Sequence, residues 1–287
     1  MEKQFVTTSA SPLVSLQVNG NLRLKGQDEF QVVAKGDNPE DLTVESSDDQ
    51  VTIRSNGNCY VRLPQASIVH IQAVHGNAMC KALDGDITIE TIDGDLELRN
   101  TGKVYITRLN GNLTAKNVEG DCRLDVVNGE LSARNIQGEF TVTDAVRGNL
   151  NLSNVAGSAR AFADGNITLR LDPAPGHTYD FTCRGNLFCR LSSDASAEIS
   201  VPKASQVMVD LPGIHASAPI QTPYALTLGE GDAKITLSAD ENVVLDTHAP
   251  DFDMEDFDLD MTSEVNGMAE SVSQQISQQV ESQMRMM

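Results

Sequence analysis

Gly85-Asp-Ile-Thr-Ile-Glu-Thr-Ile-Asp93 runs directly into Gly94-Asp-Leu-Glu-Leu-Arg-Asn-Thr101, and the two units share one pattern. Counting from the glycine, positions +2 and +4 are aliphatic (Ile87 and Ile89, then Leu96 and Leu98), while position +3 is polar. Alternation of this kind marks a short strand with one buried face, and the glycine with its acidic neighbours marks a turn that needs an unusual backbone conformation.

The same unit repeats outward in both directions. Glycines recur every eight to ten residues from Gly76 to Gly165, and nearly every unit carries apolar residues at +2 and +4. A second regularity sets the length of a coil. Position +6 is Asn100, Asn117, Asn135 and Asn154 in alternate units, and Thr91, Arg108, Val126 and Asp144 in the others. Two nonapeptides of different character therefore alternate, for a true period of about 18 residues. The predicted object is all-β: a single-stranded, right-handed β-solenoid with two short strands per coil. Its four stacked asparagines would form a hydrogen-bonded ladder at one corner, in the left-handed conformation that Asn tolerates.

Around the regular stretch at 76–172 the pattern loosens. Residues 1–75 read as an irregular N-terminal β region that caps the coils, and 173–246 as irregular C-terminal coils of the same domain. Gly20 and Gly57 open degenerate copies of the unit, and Gly165-Asn-Ile-Thr-Leu-Arg-Leu recurs as Gly185-Asn-Leu-Phe-Cys-Arg-Leu. Residues 247–261 are an acidic linker. Residues 262–287 place Val265, Met268, Val272, Ile276, Val280 and Met284 at helical spacing, which predicts an amphipathic α-helix that joins copies of the chain into an oligomer.

Composition narrows the function. Asp and Glu number 41 against 21 Lys and Arg, a net charge of −20, of which −9 lies in 246–287 (ten acids, one base). That balance argues against nucleic acid as a partner. No apolar run reaches the length of a membrane span or a signal peptide, and the expectation is a cytoplasmic protein. The five cysteines (Cys59, Cys80, Cys122, Cys183, Cys189) fall in inward slots, as small hydrophobes rather than ligands. Asp84-Gly-Asp86 and Asp93-Gly-Asp95 suggest calcium, yet Lys103 interrupts the acids after the glycines, and turn chemistry accounts for them better. No nucleophile–base constellation and no phosphate loop can be read, so no catalytic, metal or cofactor site is expected.

Three features resemble the bacterial putative-adhesin domain family of unknown function. They are Tyr60-Val-Arg-Leu-Pro64 followed by Ile68-Val-His-Ile-Gln-Ala-Val-His-Gly76, the run of Gly-Asp-Ile-Thr-Ile units, and the late Gly-Asn-Ile-Thr-Leu-Arg-Leu copies leading to Ile199-Ser-Val-Pro202. The resemblance spans residues 13–245, implies a β-solenoid, and implies no catalytic residues. The expected function is a non-enzymatic scaffold or interaction protein, with an unidentified protein or glycan partner and no cofactor. The second reading is a carbohydrate-binding or adhesin-like surface module, or a carbohydrate-active β-helix. It would need aromatic rings such as those of Tyr60, Tyr105, Phe188 and Tyr224 to be exposed.

Overall fold

Leu96, Leu98 and Thr101 turn inward from the strand Leu96–Thr101, and this strand pairs in parallel with Leu113–Val118, so that Leu96 faces Leu113 and Leu98 faces Ala115. Between them in sequence, Val104–Leu109 pairs instead with Cys122–Val127, Val104 facing Cys122. Each strand thus neighbours the second strand along the chain rather than the next. Register partners lie 17 residues apart at Leu96 and Leu113, 18 at Val104 and Cys122, 19 at Leu131 and Leu150, and 20 at Ala159 and Tyr179. The computed structural model describes residues 4–215 and 218–248.

The outcome is an all-β body of two long, mostly parallel sheets, with 14 and 13 strands among the described residues and helical structure confined to one short turn at Pro39–Asp41. Their inward faces share one aliphatic core, in which Ile87, Leu96, Val104 and Leu113 are at most 1% exposed. Rows of identical position stack from coil to coil, such as Leu83, Thr101, Val118, Ile136 and Val155. Small and medium side chains suffice because the space between the sheets is narrow, which is why a chain with 4% aromatics can fill it.

At both ends the winding order changes. The coil of Leu13–Val18 and Leu22–Gln27 lies between the regular stack and the coil of Gln50–Ser55 and Cys59–Pro64, although the latter comes later in the chain. Gln31–Gly36 adds antiparallel to one sheet and is itself covered antiparallel by Gln4–Thr7, and Leu42–Ser47 closes the outer edge of the other. The far end uses the same device. Ala233–Ala239 and Asn242–His248 insert between Thr178–Cys183 and Leu187–Ser192 on one side and Ala197–Lys203 and Gln206–Leu211 on the other. Tyr224–Leu228 then covers the last parallel strand antiparallel. Both ends therefore finish on antiparallel pairing rather than on an open parallel edge.

One expectation is corrected. The repeat glycines do not adopt positive φ; among the described glycines only Gly176, Gly213, Gly229 and Gly231 do. The repeat glycines instead answer a close approach between coils. A Cβ on Gly94 would lie 2.2 Å from Asn77 Oδ1 and 2.7 Å from the Gly76 carbonyl oxygen. Regular pairing in this register already begins at Ile68–Val74, ahead of the expected start at 76, and the last strand runs on to His248. The acidic linker and the predicted helix at 262–287 lie outside the described residues.

Candidate interaction surface

Asn100, Asn117, Asn135 and Asn154 sit one above another at the end of successive strands, with φ between 51° and 56°. The Asn117 amide donates to Asn100 Oδ1 at 2.8 Å, Asn135 to Asn117 at 2.9 Å and Asn154 to Asn135 at 3.1 Å. The αL backbone turns the chain toward the next strand, and the hydrogen-bonded side-chain amides close the corner. Ala82 occupies the equivalent place one coil earlier with φ 55° and no amide to extend the ladder.

The opposite corner carries a longer ladder that sequence reasoning missed. The residue after the glycine uses its side-chain oxygen to accept the backbone N–H of its counterpart in the next coil. Asn77 accepts from Asp95, Asp95 from Asn112, and Asn112 from Glu130, each at 2.8 Å. The series runs back through Asn21 and Asn58 and resumes from Asn149 through Asn166 and Asn186 to Asn242. In the sequence this set is interleaved with Asp86, Lys103, Asp121 and Glu139, which belong to the other corner. Lys103 lies there, 3.5 Å from Asp121. Separating alternate glycines would have revealed the ladder. Several acids of these corners are thus occupied with backbone and side-chain partners. Asp93, for instance, binds His75 Nδ1 at 2.6 Å and the Asn110 amide at 2.9 Å, and both hold its carboxyl below the ordinary carboxylate value. Among the described residues no His, Cys, Asp or Glu cluster has metal-binding geometry.

All five thiols are buried and unbridged, and desolvation pushes each up to about 12. A thiol held protonated to that degree is no nucleophile at neutral pH. The rings of Tyr60, Tyr105, Phe188 and Tyr224 are likewise engaged. Arg62 lies over the Tyr60 ring, Arg123 over that of Tyr105, Phe188 is 9% exposed, and Tyr224 packs against the core. A groove of about 470 Å³ opens beside Tyr60, between Gln31, Lys35 and Arg62.

What remains is the pair of flat outer faces, and they differ. On the 13-stranded sheet the exposed columns mix signs, with His70 on Glu90, Arg160 near Asp180, and the Tyr105 hydroxyl on Asp125. On the 14-stranded sheet the position five residues after the glycine is basic in nearly every coil. Arg62 faces Lys25, Lys25 faces Lys81, and Lys81 faces Arg99. Lys116 and Arg134 continue the column, and beyond Ser153 stand Arg170 and Arg190. These eight side chains come from a total of 21 Lys and Arg in the chain. The neighbouring outward column is mostly uncharged, with Thr114, Ser132, Asn151 and Thr168 at its centre.

No family model and no curated protein matches the chain. Among solved structures, it is similar to a putative cell adhesion protein from Clostridium sporogenes (12% identity, 86% of this chain and 98% of that one, TM-score 0.20). It is also similar to a putative adhesin from Bacteroides fragilis (10%, 86% and 96%, TM-score 0.32) and to another from Parabacteroides merdae (7%, 86% and 94%, TM-score 0.29). These structural neighbours are bacterial putative adhesins, the class of protein that the sequence resembles.

Proposed function

We propose that this chain is a non-catalytic interaction scaffold: a right-handed β-solenoid that holds side-chain columns at fixed spacing for a partner. The observation that carries this reading is the single-file order of both outward faces, one side chain per coil along the length of each sheet. The thiols are sealed in the core, and the carboxylates of Asp93 and Asp95 hold backbone and side-chain partners at their corner, which supports a structural role for these groups. A right-handed winding follows from the twist preference of parallel crossovers. Self-association through Val265, Met268, Val272, Ile276, Val280 and Met284 belongs to the same proposal and rests on their helical spacing.

Two measurements test it. Incubation of the full chain with a panel of polysaccharides, followed by assay of newly formed reducing ends, should show none; turnover would overturn the non-catalytic reading. Light scattering of Ile276→Asp with Val280→Asp should give a lower mass than the unaltered chain; an equal mass would remove the tail from the account. The carbohydrate-binding reading in its neutral-sugar form is disfavoured by the rings, since Tyr60 and Tyr105 are covered by arginines and Phe188 is buried.

A further inference from the structure

A column of like charges is an unfavourable way to build a sheet, because side chains directly opposite on neighbouring strands repel when they carry the same sign. The repeat offers an easy alternative, since Glu97 and Ser153 show that acidic and neutral residues are accepted on the same face. Yet the basic column runs across nine adjacent strands with one interruption, a length of about 38 Å at roughly 4.8 Å per strand. Ion pairs within the chain do not consume its three lysines. Arg99 pairs with Glu97, and Arg190 lies 3.8 Å from Asp246, but among the described residues Lys25, Lys81 and Lys116 have no ion-pair partner.

We propose that this face binds a linear anionic polysaccharide, laid along the solenoid axis with one carboxylate or sulfate per sugar set against one coil. The inference rests on the scaffold reading and names the partner of its more charged face. Four features fit this ligand. The column is one residue wide, so it suits a single extended polymer chain. Its pitch of about 4.8 Å is close to the advance of one pyranose unit. The adjacent column of Thr114, Ser132, Asn151 and Thr168 offers hydroxyls and an amide to sugar hydroxyls. Corners rich in acid flank the stripe on both sides, with Asp95 and Glu130 at one and Glu119 and Asp121 at the other. They would repel a polyanion broad enough to reach them, such as duplex DNA or an anionic membrane. A single-stranded nucleic acid would look for stacking rings, and the centre of this face carries none.

The test uses the full chain and end-labelled oligogalacturonate, followed by fluorescence anisotropy across a salt series. Binding should weaken with salt, with a log–log slope of about −3 to −5 for the cations neutralised. Lys116→Glu with Arg134→Glu should weaken it at least about tenfold, and Arg123→Glu with Arg160→Glu on the other sheet less than about twofold. Lys81→Gln with Lys116→Gln, a milder pair, should give an intermediate loss, with thermal melts confirming that each variant is folded. Absence of salt-dependent binding, equal losses from the two Glu pairs, or tighter binding to single-stranded DNA or to phosphatidylserine vesicles would overturn the proposal. Binding accompanied by shortening of the polymer would overturn the non-catalytic reading while leaving the stripe's ligand in place. An intact polymer that does not bind would overturn the stripe alone.

Discussion

The Asn117 side-chain amide donates to Asn100 Oδ1 at 2.8 Å, and both residues hold a left-handed backbone, with φ of 56° and 51°. One residue type thus meets two demands at the same corner, a turn that most side chains resist and a bond to the next coil. Ala82 makes the same turn, at φ 55° and against its own steric preference, and has no amide for the bond. Ala82→Asn should extend the ladder by one rung and stabilise the fold by about 1 kcal/mol, read as a higher urea midpoint with an unchanged slope. Asn117→Ala should move the midpoint the other way, and Asn117→Gly by less, because glycine accepts the backbone conformation.

Thr101 interrupts a buried row whose neighbours are Leu83 and Val118. It is 1% exposed and its hydroxyl has no hydrogen-bond partner. Thr101→Val keeps the shape and removes the stranded polar atom, and should stabilise by about 1–2 kcal/mol in the same melt.

The glycines should differ in tolerance according to what lies above them. Gly94→Ala places a methyl against Asn77 Oδ1 and the Gly76 carbonyl, and should cost about 2–4 kcal/mol. At Gly120 the nearest atoms are the backbone N and Cα and the Cβ of Lys103, at 3.1 Å, and Ala should cost less, about 1 kcal/mol. Gly176 has open space but φ of 79°, so its penalty is conformational, about 1–2 kcal/mol. Equal effects at Gly94 and Gly120 would contradict the close-approach explanation.

The thiols give a prediction in pH. In the folded chain they ionise only near 12, whereas in the unfolded chain they do so near 8.5. The unfolded state therefore loses these protons first, and stability should fall as pH rises from about 8.5 toward 12 while staying insensitive to the thiols below that window. Native protein at pH 8 should leave all five silent toward a disulfide reagent, and all five should react in denaturant. Fast reaction of any one in the native state would contradict its placement in the core.

Much of the two-sheet architecture was legible because the repeat is short and each position has one environment. The alternation at +2 and +4 assigned Ile87, Ile89, Leu96 and Leu98 to the core, and the αL role of Asn is a local property. Three things were not legible, for physical reasons. The purpose of the repeat glycines depends on the coil above, which sequence spacing alone does not show, so backbone conformation was the wrong explanation. The second ladder was hidden because consecutive turns alternate between two corners, and listing Asn77, Asp86, Asp95 and Lys103 together mixed them. The insertion of Leu13–Gln27 between later strands, and of Ala233–His248 between earlier ones, is a matter of edge pairing, which a strand's own composition hardly specifies. Likewise the net charge of −20 concealed a basic column, since composition cannot tell how charges are sorted between faces and corners.

The stacking of one coil per repeat is the claim on which the ladders, the core rows and the basic column all depend. Spin labels on Met79 and, in turn, Ser132, Asn151 and Thr168 test it directly by pulsed dipolar spectroscopy, since these positions lie in one outward column three, four and five strands apart. Backbone separations of about 14, 19 and 24 Å are expected, with a constant step of about 4.8 Å. Distances that fail to rise by one equal step per coil would contradict the account.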